Sequence, residues 1–163
     1  MTKLNNSKIS IPVAESLTVE FKSDLKRLRD DELIQALVCL TNTEGGELWL
    51  GVEDDGTATG LHKAHENLDG LPSLIASRTS PPLQVTLQSV QVGDIKVVRI
   101  LVPKSIHYEV ATSSGMYLRR RLKQDGTPEC VPLLPHERMS RESHLGLTDF
   151  SARPVARATL EDL

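Results

Sequence analysis

The chain has 163 residues, of which 39% are hydrophobic, and a formal net charge of −3 at pH 7. A chain of this length can bury a core as one domain, and its charge excludes a protein that is basic over its whole surface. No apolar run could span a bilayer and the N-terminus lacks a signal-peptide core, so we expect no membrane partner and a cytoplasmic location. The two cysteines lack metal-ligand spacing, which predicts reduced structural thiols, Cys39 in a helix and Cys130 in a late loop.

The hydrophobic pattern predicts an α+β fold, with a mixed, largely antiparallel sheet and two main helices packed on it. Residues 95–102 form a nearly unbroken apolar run, which is typical of a central strand. In chain order, the predicted elements are a strand at 18–21, a helix capped by Asp30 or Asp31, a strand at 48–52, a helix at 68–77 and strands at 83–92, 95–102 and 116–122.

The stretch from Leu37 to Leu61 is LVCLTNTEGGELWLGVEDDGTATGL, and it combines several local signals. Paired glycines at 45 and 46 predict the end of a helix, because glycine readily adopts the left-handed conformation. Residues 53–57 contain Asp-Gly and predict a tight hairpin turn. We expect Asn42 to bond local backbone near the glycines, and His62 and His65 to be solvated.

Basic residues are concentrated in two segments in spite of the negative net charge. On a strand at 116–122, Tyr117, Arg119 and Arg121 share one face, and Arg120 lies between two leucines on the other. Such a run is either a solvated face or a set of phosphate contacts beside a stacking surface. The candidate nucleic-acid-binding residues are Lys22, Lys26, Tyr117, Arg119, Arg120, Arg121 and Lys123.

Four motifs occur in order along the chain: E-x4-E-F-K beginning at Glu15, the stretch NTEGGELWLGVEDDG, the segment YLRRR and the closing segment PECVPLLPHE. Together they resemble the Schlafen AlbA-type domain. The resemblance covers roughly Glu15 to Arg138 and implies one domain over 15–139. We expect a flexible N-terminal segment at 1–14 and, over 140–163, a linker entering a further C-terminal region.

Nuclease members of the Schlafen group carry a metal-binding carboxylate triple, and the matching positions here are Glu15, Glu20 and Asp54. The resemblance implies that these acids could hold Mg²⁺ or Mn²⁺ for phosphodiester cleavage. Lys22, two residues beyond Glu20, would then orient water or contact the scissile phosphate, by analogy with the E-x-K element of other nuclease folds. The alternative is a lysine that only contacts phosphate or is solvated. The alternative is that the glutamates are surface acids and that Asp54 nucleates a turn.

Three functions follow as expectations. The first is a nucleic-acid-binding module of a bacterial-type transcriptional regulator, with either DNA or RNA as the ligand. The second is a metal-dependent endoribonuclease or nuclease that uses the three carboxylates. The third is an oligomerisation module in which an exposed strand pairs with a second copy to give a homodimer.

Overall fold

A four-stranded sheet with a helix packed on one face is the centre of the computed structural model, which describes residues 9–139. The helices are α1 (Asp30–Thr41) and α2 (Leu71–Ser77), and a 3₁₀ turn at Lys63–His65 lies between them. The strands are β1 (Val19–Lys22), β2 (Gly46–Leu50), β3 (Thr79–Ser80), β4 (Thr86–Val92), β5 (Ile95–Val102), β6 (Ala111–Thr112), β7 (Leu118–Leu122) and β8 (Pro128–Pro132). No helix of the described part is long and apolar enough to cross a membrane.

The chain divides into two compact units after Val131. Of the second unit, the structure describes 132–139, where the Arg138 N–H donates to the Leu134 carbonyl in a helical turn. Residues 1–8 of the expected N-terminal segment and the expected linker over 140–163 lie outside the described residues.

The central sheet has the strand order β1-β2-β5-β4. β1 runs parallel to β2, with Glu20 opposite Leu48, and the other two pairings are antiparallel. The predicted α+β fold with a mixed, largely antiparallel sheet is therefore confirmed. β5 lies between β2 and β4, as expected for a nearly continuous apolar run that is covered on both faces. β3 pairs with β6, and β7 pairs with β8, in two small separate sheets.

Alternation along the central strands directs side chains into two apolar clusters. Leu48 and Leu50 of β2 face α1, where they pack with helix residues such as Leu37. Trp49 points the other way and packs with Phe21 of β1. Because β1 is an edge strand, its remaining side chains emerge beside α1, and this face carries the candidate site.

The two ends of α1 differ in how far local sequence predicts them. Its N-cap residue is Arg29, with no side-chain hydrogen bond, so the expected capping by Asp30 or Asp31 is wrong. Both acids lie inside the first turn, where their charge suits the helix dipole. At the other end, Gly45 and Gly46 have φ angles of 71° and 136°, and this agrees with the predicted glycine termination.

Cys39 and Cys130 form a disulfide, so the expectation of two reduced thiols is wrong. Cys130 also lies in β8 and not in a loop. Cys39 is fully buried in α1, and β7 packs against this helix. Because β8 pairs with β7, the exposed Cys130 of β8 is brought to the helix. The bond joins residues separated by 91 positions, which is why local spacing did not predict it.

Candidate nucleic-acid interface

The parallel pairing of β1 with β2 brings the three predicted acids to one edge of the sheet. Glu20 lies on β1, while Asp54 follows the C-terminal end of β2. The Lys22 carbonyl accepts hydrogen bonds from the N–H groups of Gly51 and Val52, which places the turn containing Asp54 beside the end of β1. Glu15 approaches from the preceding segment, and one of its carboxylate oxygens accepts the Phe21 N–H at 2.9 Å.

Electrostatic interactions connect these carboxylates. Burial is the largest cause of the raised pKa of Glu15, and the charges of Glu20 and Asp54 raise that pKa further. The hydrogen bond from the Phe21 N–H acts in the opposite direction and lowers the pKa of Glu15. Glu15 therefore lies close enough to Glu20 and to Asp54 for their charges to act on it.

Arg120 supplies the largest compensating charge. This residue is only 2% exposed, and its Nη1 donates to Glu20 Oε2. Its Nη2 donates to the Ser16 carbonyl at 2.5 Å and to the Val19 carbonyl at 3.0 Å. Lys22 Nζ adds a second cation 3.6 Å from Glu20 Oε1. Arg120 thus holds β7 against β1, a position that does not suit the phosphate contact expected of it.

The carboxylates do not fit a metal ion in this arrangement. Within residues 9–139, no group of three or more His, Cys, Asp or Glu side chains could hold a metal. One oxygen of Glu20 is bonded to Arg120, and one oxygen of Glu15 is bonded to backbone. The acids are close enough for their charges to interact, but a guanidinium and a lysine balance Glu20.

The outer face of the β7–β8 hairpin presents the other predicted basic residues. Alternation along β7 turns Arg119 and Arg121 away from the buried Arg120. Arg121 Nε donates to Glu129 Oε1 across the hairpin at 2.6 Å, and both side chains are solvent-accessible. Lys123 is exposed at the turn, and Tyr117, which precedes β7, is half-buried. Lys26 is exposed in the segment between β1 and α1, on a different element.

A cavity of about 190 Å³ joins the β1 edge to this hairpin. Glu20 and Lys22 line it from β1, and Glu129 and Cys130 line it from β8. Arg120 also borders the cavity. The cavity therefore connects Glu20 and Lys22 with the β8 side of the hairpin, while Arg119 and Arg121 lie on the face of β7 opposite Arg120.

Two residues that support this surface were not assigned these contacts from sequence. Thr43 Oγ1 accepts the Arg120 N–H at 2.8 Å and so positions the buried arginine. The Asn42 amide donates to the carbonyls of Val110 and Leu118, and these bonds reach distant segments that the expectation of local backbone bonding did not include. Their only signal in the sequence was polarity at the end of an apolar helix face, and this signal does not identify a hydrogen-bond partner.

His65 and Asp24 form a second polar pair that the sequence did not predict. His65 is buried, not solvated as expected, and its Nδ1 lies 2.8 Å from Asp24 Oδ2. Asp24 is fully buried and also accepts the N–H groups of Leu28 and His62. These bonds hold the segment after β1 to the connection before α2.

Comparison with known proteins identifies related sequences and folds. A family model described as Schlafen, AlbA_2 matches residues 15–127. The DIP2311 protein of Corynebacterium diphtheriae has a similar structure, with a TM-score of 0.58 and 22% identity over 72% of this chain. The match spans 25% of the length of that protein.

The N-terminal domain of a DNA helicase RecG-related protein from Nitrosomonas europaea is also similar. Its TM-score is 0.48 and its identity 23%, over 68% of this chain and 82% of that domain. No curated protein matches the sequence. The likeness to the Corynebacterium protein is a likeness of fold.

Proposed function

The chain belongs to the Schlafen, AlbA_2 family, and from that membership we propose that it is a nucleic-acid-binding domain that contacts phosphates through the outer face of the β7–β8 hairpin. The observation that carries the proposal is the separation of the arginines of β7. Arg120 is buried in an ion pair, whereas Arg119 and Arg121 lie on the opposite face of the strand. The outward pair is therefore better placed than Arg120 to meet a ligand.

The local charge of the hairpin favours this function. Residues 117–129 contain four basic and two acidic side chains, in a chain whose formal net charge is −3. Arg121 is bonded to Glu129, but an exposed ion pair contributes only about 0–1 kcal/mol and can exchange its partner for a phosphate. Tyr117 lies beside these residues as a candidate surface for base stacking.

Lys22 and Lys26 would extend the contact surface from the hairpin toward β1. Lys22 lines the same cavity as Glu129 and Cys130, so a backbone crossing the hairpin would meet it next. The salt bridge between Lys22 and Glu20 reduces the positive charge available there. We assign the stronger phosphate contacts to the hairpin for this reason.

Metal-dependent cleavage is not part of the proposal. The arginine and lysine beside Glu20 already supply the positive charge that a divalent cation would bring to this carboxylate. A module of a regulatory protein acting in the cytoplasm is the biological role that we propose for a domain that binds without cutting.

The test is a salt titration of nucleic-acid affinity for wild type and for the double variant Arg119→Ala/Arg121→Ala. Each lost phosphate contact should lower the slope of log K against log salt by about 0.7 for single strands and about 0.9 for duplex DNA. Weaker binding to all sequences with a reduced slope is the expected result. Comparison of single-stranded and duplex DNA and RNA in the same assay identifies the ligand.

The matched control is Lys63→Ala/Lys96→Ala, which removes the same charge from two exposed sites outside the hairpin. The control should keep the wild-type slope. If both double variants lower the slope equally, only net charge matters and the hairpin is not the interface. If wild type binds none of the nucleic acids, the proposed function itself is wrong.

A further inference from the structure

A second cavity, of about 160 Å³, lies beside the N-terminal half of α1. One wall consists of Asp31, Ile34 and Gln35 of that helix. The facing wall contains Arg78, at the end of α2, and the hydroxyl residues Ser113 and Ser114, which follow β6. None of the carboxylate cluster residues lines it, so it is a different place on the surface.

Arg78 offers an uncompensated positive charge to this cavity. In the part of the chain that the structure describes, its guanidinium makes no hydrogen bond or ion pair. Its backbone is nevertheless fixed, because the Arg78 N–H donates to the Leu74 carbonyl and its carbonyl accepts the Ser113 N–H at 2.8 Å. The arginine and the first serine are therefore held side by side.

The hydroxyl groups add neutral donors next to the guanidinium. Thr112 Oγ1 accepts the Met116 N–H at 3.0 Å and lies 2.8 Å from Ser114 Oγ. When Thr112 donates its own proton to Ser114, the Ser114 hydroxyl keeps its proton for a ligand. The Ser113 hydroxyl has no hydrogen-bond partner among residues 9–139.

Asp31 is the acidic residue of the lining, and its charge is already balanced. Arg29 Nε donates to Asp31 Oδ1 at 3.0 Å, and Arg29 Nη2 donates to the other carboxylate oxygen. The charge that remains for a ligand is that of Arg78. A guanidinium and two hydroxyls that line the same cavity are suited to the tetrahedral oxygens of a phosphate.

We propose that this cavity binds one phosphate of a nucleic-acid backbone, an inference that rests on the proposed nucleic-acid function. The turn that contains Ser113 and Ser114 leads directly into Tyr117, which bridges to Ala111, and then into β7. A strand that follows the outer face of the hairpin arrives at this cavity at the N-terminal end of β7. The interface then continues from the hairpin to the start of α1.

The first experiment tests the cavity alone. Inorganic phosphate is titrated into the isotope-labelled protein, and the backbone amide signals of Ser113 and Ser114 are followed by NMR. Wild type should show a saturable shift, Arg78→Lys a weaker one, and Arg78→Ala none, while the control Lys96→Ala behaves as wild type. Absence of a saturable shift, or an equal shift in Arg78→Ala, overturns the proposal.

The second experiment decides whether the phosphate belongs to nucleic acid. Arg78→Ala should lower the salt slope of nucleic-acid binding by about 0.7–0.9, beyond the effect of Lys96→Ala. Phosphate binding with an unchanged slope would overturn the backbone assignment, since the cavity would then take a free phosphate compound. If wild type binds phosphate but no nucleic acid, the proposed function fails and the backbone assignment fails with it.

Discussion

Replacement of Arg120 by Met should destabilise the domain far more than the same change at Arg121, one residue along β7. Arg120 is buried and bonded to Glu20, whereas the Arg121–Glu129 pair is solvent-exposed. Removing one partner of a buried ion pair costs about 3–5 kcal/mol, because the remaining charge stays desolvated. Removing one partner of an exposed pair costs about 0–1 kcal/mol.

The structure places the penalty for the unpaired Glu20 charge in Arg120→Met near the lower end of the buried range, at about 3 kcal/mol. Glu20 keeps Lys22 at 3.6 Å, and its side chain retains 15% of its exposure, so water and one cation still reach it. The carbonyls of Ser16 and Val19 each lose a donor as well, at about 1 kcal/mol per hydrogen bond. We therefore expect a total loss of about 5 kcal/mol in the free energy of unfolding.

Urea unfolding monitored by tryptophan fluorescence measures this quantity directly. Trp49 is the only tryptophan of the chain and is fully buried, so its emission changes when the core opens. The double variant Arg120→Met/Glu20→Met should recover part of the loss, because it removes both charges of the buried pair. A loss for Arg120→Met within about 1 kcal/mol of that for Arg121→Met would refute the reasoning.

Three further predictions concern the glycine turn, the disulfide and the carboxylates. Gly46→Ala should lower the free energy of unfolding by more than the roughly 1 kcal/mol expected from positive φ alone, because its Cβ would lie 2.1 Å from the Thr18 carbonyl oxygen. The control in thermal melts is Gly93→Ala, which is also at positive φ but in open space. Cys130→Ser should lower the free energy of unfolding by about 2–4 kcal/mol in non-reducing buffer and by much less after reduction of wild type; equal stability of the two proteins before reduction would contradict it. Mn²⁺ should leave the wild-type melting temperature unchanged, since Arg120 and Lys22 compensate Glu20; a saturable rise that is lost in an Asp54→Asn variant would contradict it.

Local sequence patterns were sufficient to predict the central elements of the domain, β5 and α1. The nearly unbroken apolar run predicted β5 at 95–102 and its central place, because a strand covered on both faces has few polar positions. The helical spacing of apolar residues predicted α1, and the paired glycines predicted its end. The period-2 alternation also separated Arg120 from Arg119 and Arg121 before any contact was known.

Sequence by itself also determined the family, because its motifs are local segments, and it named Glu15, Glu20 and Asp54 as candidate acids. It did not determine which charges those acids would meet. Alternation placed Arg120 on a different face of β7 from its neighbours, but it did not show whether that face was buried. The prediction of the helix cap was wrong for a related reason. Asp30 and Asp31 were both able to cap locally, but the path of the chain into α1 places Arg29 at the N-cap.

Tertiary structure decided the partners of the buried polar groups. Arg120 meets Glu20 across 100 positions, Cys39 meets Cys130 across 91, and His65 meets Asp24 across 41. Each pairing depends on how β1, α1 and the β7–β8 hairpin pack, and no local pattern records that packing. A buried charge or hydrogen-bonding group requires a partner from whichever element lies against it, so its role is fixed only when the elements have come together.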